Sequence, residues 1–186
     1  MRVHDISVAL SENTPTYPGD PGIEIEQWKS LAKGDSASVS FVHFGAHSGT
    51  HVDAPAHFIR GAAKLDSLPL EVLIGPAQLV EVPPDCMIID RSLVTAKVNP
   101  GTERVLFKTR NSAFWGDHAA GFQTDFTHLD LPAAELLVDL GIRLVGIDYL
   151  SIERFKSPDH AVHLCLLSKG IVILEGLNLA SVRAGN

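Results

Sequence analysis

The stretch HFGAHSGTHVDAPAHF, residues 43–58, limits what this chain can fold into more than any other part of it. Four of the nine histidines fall within it, beside one Asp, and Gly45, Gly49 and Pro55 interrupt it. Proline disfavours helical geometry at the residue before it, and an interior glycine costs a helix roughly 0.5–1 kcal/mol relative to alanine. The segment is therefore expected to be extended or looped. A zinc-protease helix also spaces two histidines four residues apart, but it carries Glu directly after the first and has no Gly between them. In an extended segment residues two apart point the same way, so His51 and Asp53 share a face while Val52 points into the core. A tight turn at Ser48-Gly49 can bring His47 back to join them.

Two imidazoles and a carboxylate form an N/O donor set suited to Zn²⁺, Mn²⁺ or Fe²⁺, and three protein ligands leave a position for water. Any one histidine alone is more often a hydrogen-bonded core or surface residue, and His43, on the strand before the cluster, keeps that reading. The set with an Asp inside it reads as a metal site. His57, beyond Pro55, has two readings: a further ligand, or a base standing beside the metal site.

The rest of the chain narrows the setting. Fifteen basic residues against 22 acidic ones give a formal charge of −7, with no basic run, so nucleic acid and anionic membrane are poor partners. The amino-terminal MRVHDISVAL places His4 and Asp5 where a signal peptide needs an apolar core. Apolar runs fall far short of the roughly 20 residues that span a bilayer. A cytoplasmic protein is expected. Cys86 and Cys165 match no zinc or redox spacing and are read as reduced, partly buried thiols. No G-x-S-x-G elbow offers a serine nucleophile. Without repeats or a linker, residues 1–186 read as one domain, long enough to bury roughly 70% of the surface of its unfolded chain.

Hydrophobic patterning predicts strands over 3–10, 23–29, 37–44, 77–82, 86–89, 104–108, 143–147 and 171–174, with 23–29 and 37–44 alternating as half-buried strands do. Between the first two, SENTPTYPGDPG carries three Pro and two Gly and reads as a rigid loop of the kind that frames sites. Helices are fewer. DLPAAELLVDLG has Asp130 to cap it, Pro132 in its first turn and Gly141 to close it, and a second helix is expected over 159–168 with a stop at Gly170. The pattern is a strand-rich mixed α/β domain.

HSGTHVDAPAHF resembles the H-x-G-T-H-x-D-x-P-x-H signature of the metal-dependent cyclase family, matching it at every fixed position. TPTYPGDP resembles the family's amino-terminal Y/W-P-G-D loop. HLCLLSKGIVILEGLNL resembles its H-x-x-L-L and I-x-x-x-E-x-L-x-L region, so the likeness runs through nearly the whole chain, which is somewhat short for the family. The resemblance implies a swivelling β/β/α fold around a small mixed β-barrel. It implies that His47, His51 and Asp53 hold one metal, that Asp53 bridges to a second bound by His163, and that Glu175 contributes to both. His163 is chosen over His160 because the x-x-Leu-Leu pattern follows it. Glu175 alone, after the apolar run 171–174, would read as a strand-end residue meeting solvent.

By the same resemblance His57 takes the position of the general acid/base, and Tyr17 sits where formamidase-type loops often place a Trp against the substrate. The implied cofactor is Zn²⁺, with Mn²⁺ as the alternative and two ions per subunit allowed. The implied activity is hydrolysis of an aryl amide, foremost that of an arylformamidase converting N-formylkynurenine to kynurenine and formate. Opening of an isatin-like lactam or a lactone, or a cyclisation, would use the same site, and a metal-stabilised binding module is the non-catalytic alternative. Family members are typically homo-oligomers, so a dimer or tetramer with the pocket completed by a neighbouring subunit is expected.

Overall fold

Four short runs rich in aliphatic and β-branched residues, QLVE, RVLFK, LVGI and VILE, lie side by side in parallel at the centre of the molecule. The computed structural model describes residues 3–116 and 120–183, so the first two residues of the amino-terminal stretch lie outside it. In chain order its elements are β1 (Glu24–Lys29), β2 (Val39–His43), β3 (His51–Asp53), α1 (Leu70–Leu73), β4 (Gln78–Glu81), β5 (Ile88–Ile89) and α2 (Arg91–Lys97). These are followed by β6 (Arg104–Lys108), β7 (His128–Leu129), α3 (Leu131–Asp139), β8 (Leu144–Ile147), α4 (Ala161–Ser168) and β9 (Val172–Glu175). The central sheet has the order β3-β9-β8-β6-β4, parallel except for β3, which pairs antiparallel with β9 at one edge.

The two-residue period of a strand divides this sheet into two faces. Val105, Phe107, Val145, Ile147 and Ile173 point to the side covered by α2, α3 and α4, where they meet Val94, Ala133, Leu137, Val162 and Leu166 in the main core. Leu144, Val172 and Leu174 point the other way, packing with Val52 and Val72. Covered on both faces, β8 is buried at every residue, as an inner parallel strand requires. The helices start where the sequence offers a cap. Asp130 accepts the Ala133 N–H at 2.9 Å to open α3, and Asp90 accepts that of Leu93 at 2.8 Å to open α2. Gly141, at φ 75°, closes α3 as expected.

Several expectations change in the structure. The sheet is open: closing a barrel requires every strand to pair on both sides, and β3, only three residues long, pairs with β9 alone, so the small barrel is not formed among the described residues. The strands expected at 23–29 and 37–44 exist as β1 and β2, but every residue of both is exposed rather than half-buried, because they pair only with each other in a two-stranded ribbon. Residues 3–10 are extended without a ladder. Their partners are a side chain and a loop: Val8 N–H donates to Thr50 Oγ1 at 2.8 Å, and Asn178 N–H donates to the Ile6 carbonyl at 2.8 Å. The strand at 86–89 shrinks to β5, and α1, α2, β3 and β7 were not anticipated as separate elements. No helix among the described residues is long and apolar enough to cross a membrane.

Candidate metal centre

The antiparallel register of β3 on β9 sets His51 directly opposite Glu175 and Asp53 opposite Ile173. His51 and Asp53 therefore share one face at the sheet edge, and Val52 turns to the opposite face against Leu174, as the extended reading of the motif required. The turn before β3, with Ser48 N–H donating to the Gly45 carbonyl at 3.1 Å and Gly49 at φ 60°, returns His47 to within 2.8 Å of Asp53 Oδ1. His51 Nδ1 lies 3.0 Å from the Gly49 carbonyl, which can only accept; the proton is on Nδ1, and Nε2 faces the carboxylates. His163 comes from α4, on the same side of the helix as buried Val162, Leu166 and Leu167. The structure thus brings together all five residues expected as ligands.

The two carboxylates divide their oxygens between two groups of imidazoles. Asp53 Oδ1 is 3.5 Å from His51 Nε2 and Oδ2 is 3.9 Å from His163 Nε2. Glu175 Oε2 is 3.5 Å from His51 Nε2 and Oε1 is 3.4 Å from His163 Nε2. Asp53 is fully buried, yet neither of its oxygens, nor His51 Nε2, has a hydrogen-bond partner among the described residues. The short approach of His47 is off the hydrogen-bond line. Burying a carboxylate unpartnered is costly, and a divalent cation among these N and O atoms removes the cost, so the residues fit a metal. Ligand atoms of His51, Asp53 and Glu175 all lie within 4.8 Å of one another, as do those of His47, Asp53 and His57.

Electrostatics point the same way. Burial pulls the His51 imidazole down, but the Asp53 and Glu175 carboxylates outweigh it and hold it up at about 10. For His163 the same contest between burial and the Glu153 and Glu175 carboxylates ends at about 9. Burial pushes Asp53 up, and the His47 and His51 side chains overturn this, leaving it well below the usual carboxylate range. Glu175 is likewise lowered, His163 and His51 outweighing burial and the Asp53 charge. Protons on the imidazoles occupy the place that a cation would take. His57 differs: burial lowers it, and His47 and His163 push it further down against the pull of Asp53.

His57 lies on a single 3₁₀ turn, Pro55–His57, with its ring stacked on His47 at 3.7 Å. Tyr17, from the loop before β1, receives the Lys156 N–H at 3.3 Å and packs its ring 5.2 Å from Phe122 and 5.6 Å from Phe155. Tyr17, His47, His57, His163 and Glu175 line one cavity of about 200 Å³. His43 stands apart on the ribbon, exposed, 3.8 Å from Glu24, and keeps its structural reading. His160 caps α4 in a left-handed conformation at φ 50° and borders the cavity, grouped with Glu153 and His163 rather than with Asp53 and Glu175. Further residues of the cavity, Phe58, Glu153 and Arg154 among them, were missed from sequence. Phe58 directly follows the histidine run and could have been taken with it; Glu153 and Arg154 sit in an irregular loop with no local pattern.

The centre depends on a close approach of two glycines. A side chain at Gly176, itself at φ 69°, would overlap the Gly49 carbonyl, two residues before His51 and one after Glu175. Gly176→Ala is expected to cost about 2–4 kcal/mol, from left-handed strain plus overpacking. That corresponds to a melting temperature lower by roughly 5–15 °C. An unchanged melting curve would mean that the two backbones part without penalty.

Histidine and carboxylate donors gathered at the edge of a mostly parallel sheet define a mixed α/β protein with a candidate metal centre. The chain belongs to the Cyclase family, whose model matches residues 4–154. It is 35% identical over 191 residues to the kynurenine formamidase of Salinibacter ruber, covering all of this chain and 86% of that protein. Among solved structures it is similar to a potential metal-dependent hydrolase with cyclase activity, at 32% identity and a TM-score of 0.83, covering 99% of this chain and 85% of the other. Isatin hydrolase A from Labrenzia aggregata, at 20% identity and a TM-score of 0.84 over 100% of this chain and 84% of that one, shares the fold.

Proposed function

We propose that this protein is a metal-dependent amide hydrolase acting on the C–N bond of an aryl amide, with N-formylkynurenine, yielding kynurenine and formate, as its leading substrate. The observation that carries the reading is Asp53: fully buried, with two unpartnered oxygens, each turned toward a different imidazole group. The kynurenine formamidase of S. ruber, 35% identical across the whole chain, supports the substrate class. His47, His51 and Asp53 would hold one ion, Asp53 would bridge to a second held by His163, and Glu175 would contribute to both. A site of nitrogen and oxygen donors without thiolate suits Zn²⁺, with Mn²⁺ as the alternative. When bound, such an ion supplies Lewis acidity toward a carbonyl oxygen and makes water more acidic at neutral pH.

The chain's own residues do the rest. His57 takes a proton from the attacking water and returns it to the leaving nitrogen, a role typically worth ~10²–10⁴-fold. Tyr17, anchored by Phe122, Phe155 and the Lys156 N–H, presents an aromatic wall to the substrate ring. A cavity of about 200 Å³ is smaller than the ~300–1,000 Å³ typical of ligand pockets and suits a single ring. Residues 1–186 act as one cyclase-like domain of the swivelling β/β/α type, in the cytoplasm. The working unit is a homo-oligomer, a dimer or tetramer. The exposed β1–β2 ribbon supports this, since an isolated two-stranded hairpin is marginal in water and this one displays Trp28, Phe41 and Val42.

The test is a parallel assay of metal-loaded protein on formyl aryl amides, isatin-like lactams and simple lactones. Turnover of the formyl amide at least tenfold above the others is expected. Activity confined to lactones rejects the amidase reading, and inactivity on every class at full metal loading favours a binding module.

A further inference from the structure

The loop between β8 and α4 gives no ligand to either ion, yet it holds His163, which only the second ion uses, and the oxygen of Glu175 that faces His163. Ile152 N–H donates to Glu175 Oε1 at 2.7 Å, and the next residue, Glu153, sets Oε2 2.8 Å from His163 Nδ1. Glu153 is itself buried, at 3% exposure. Its Oε1 accepts the Val162 N–H at 3.0 Å and the Ser157 hydroxyl at 2.9 Å. The first N–H groups of a helix have no partner within it, and the α4 cap residue His160 makes no side-chain cap bond, so Glu153 serves the start of α4. The carboxylate is fixed from one side before it meets the imidazole on the other. Because it only accepts, His163 presents N–H at Nδ1, and Nε2 is left to face Glu175 and Asp53.

We propose that Glu153 is a positioning residue that orients His163 and thereby sets the occupancy of the second cation site, without binding the cation. This rests on the two-ion reading above. Ligand atoms of Glu153, His160 and His163 also lie within 4.8 Å of one another, which would permit a separate site there. The hydrogen bonds argue otherwise: both Glu153 oxygens are already engaged by donors, and the nitrogen of His163 turned to Glu153 is the protonated one. Removing such an outer carboxylate from a metal-binding histidine typically costs ~10–100-fold in metal affinity. The effect here falls on one ion of two, because His47 and His51 take no contact from Glu153.

The experiment uses the full chain, stripped of metal and titrated with Zn²⁺ by calorimetry, and with Mn²⁺ by electron paramagnetic resonance. The wild type is expected to take up two ions and, with Mn²⁺, to give the broad spectrum of a coupled pair. Glu153→Gln keeps the shape but cannot accept from both sides. It is expected to weaken the second ion ~10–100-fold while leaving the first within about twofold, and to convert the Mn²⁺ spectrum to the six lines of an isolated ion. Two ions bound with wild-type affinities in Glu153→Gln overturn the proposal, and so does an equal weakening of both, which marks a general structural role. If Glu153→Gln does not fold, Ser157→Ala decides, since it removes one bond to the carboxylate and keeps the charge: the second ion should weaken measurably and alone, and unchanged binding overturns the proposal. A wild type that binds a single ion removes the two-ion reading itself, and the inference with it.

Discussion

Asp53→Ala will leave the purified protein without bound divalent cation and lower turnover by at least ~10³-fold, the kinetic equivalent of the several kcal/mol that a metal contributes to a transition state. Asp53 and Glu175 are the groups shared between both sets of imidazoles, and Asp53 is the one whose oxygens have no other partner. Glu175 is held by the Ile152 N–H, so its position survives without an ion; the charge of Asp53 has no such support. Removing it takes away one ligand from each proposed ion at once, whereas His51→Ala removes a ligand chiefly from the first. Elemental analysis reads the loss directly. Thermal melting gives a second reading: saturating Zn²⁺ at 100 times its dissociation constant should stabilise the wild type by about 2.7 kcal/mol and leave Asp53→Ala where it was. Full metal content in Asp53→Ala would place the ions elsewhere in the molecule.

His57→Ala should retain nearly all of its metal while losing at least ~10²-fold in turnover, as expected for removal of a general base. The backbone around it does not depend on the imidazole, since His57 N–H donates to the Ala54 carbonyl at 2.9 Å and the turn is opened by Pro55. Its ring stacks on His47, and although it reaches to within 4.8 Å of Asp53 it makes no ion pair with either carboxylate among the described residues. His51, by contrast, faces both carboxylates, so the metal positions should tolerate the loss of His57. The comparison with His51→Ala separates base from ligand. Metal loss as large in His57→Ala as in His51→Ala assigns His57 to the ion.

What could be read from the sequence follows from how local each determinant is. His47, His51 and Asp53 lie within seven residues, and the glycines and proline among them dictate an extended segment, so the shared face of His51 and Asp53 was derivable without any fold, with His47 returned to it by a turn at Ser48-Gly49. Asp130 and Gly141 bounded α3 for the same reason. Glu175 and His163 join the group only because β9 pairs with β3 and α4 packs beside it, and the resemblance alone pointed to them. Glu153 had neither kind of signal: a Glu two residues after Ser151, beyond a buried strand, looks like any loop acid, and its contacts arise from the path between β8 and α4. The alternation in 23–29 and 37–44 marked strands correctly and burial wrongly, because a two-residue period says that a strand has two different faces and not that either is covered within the same chain. The short element β7 carries too few residues for a period to be visible.

The pairing that sets His51 opposite Glu175 also fixes when, in the life of the chain, these ligands can meet. Thr50 Oγ1 donates to the Gly176 carbonyl across 126 residues of sequence at 2.6 Å, while β4, β6, β8 and β9 are joined by far shorter crossovers through α2, α3 and α4. Contacts of wide sequence separation pay their loop-closure entropy before they are rewarded, and so form late. A nascent chain emerging from the ribosome has the whole histidine run exposed long before residue 175 has been made. Until then His47, His51 and Asp53 have no Glu175 to join, and the donor set is completed only when the edge strand docks.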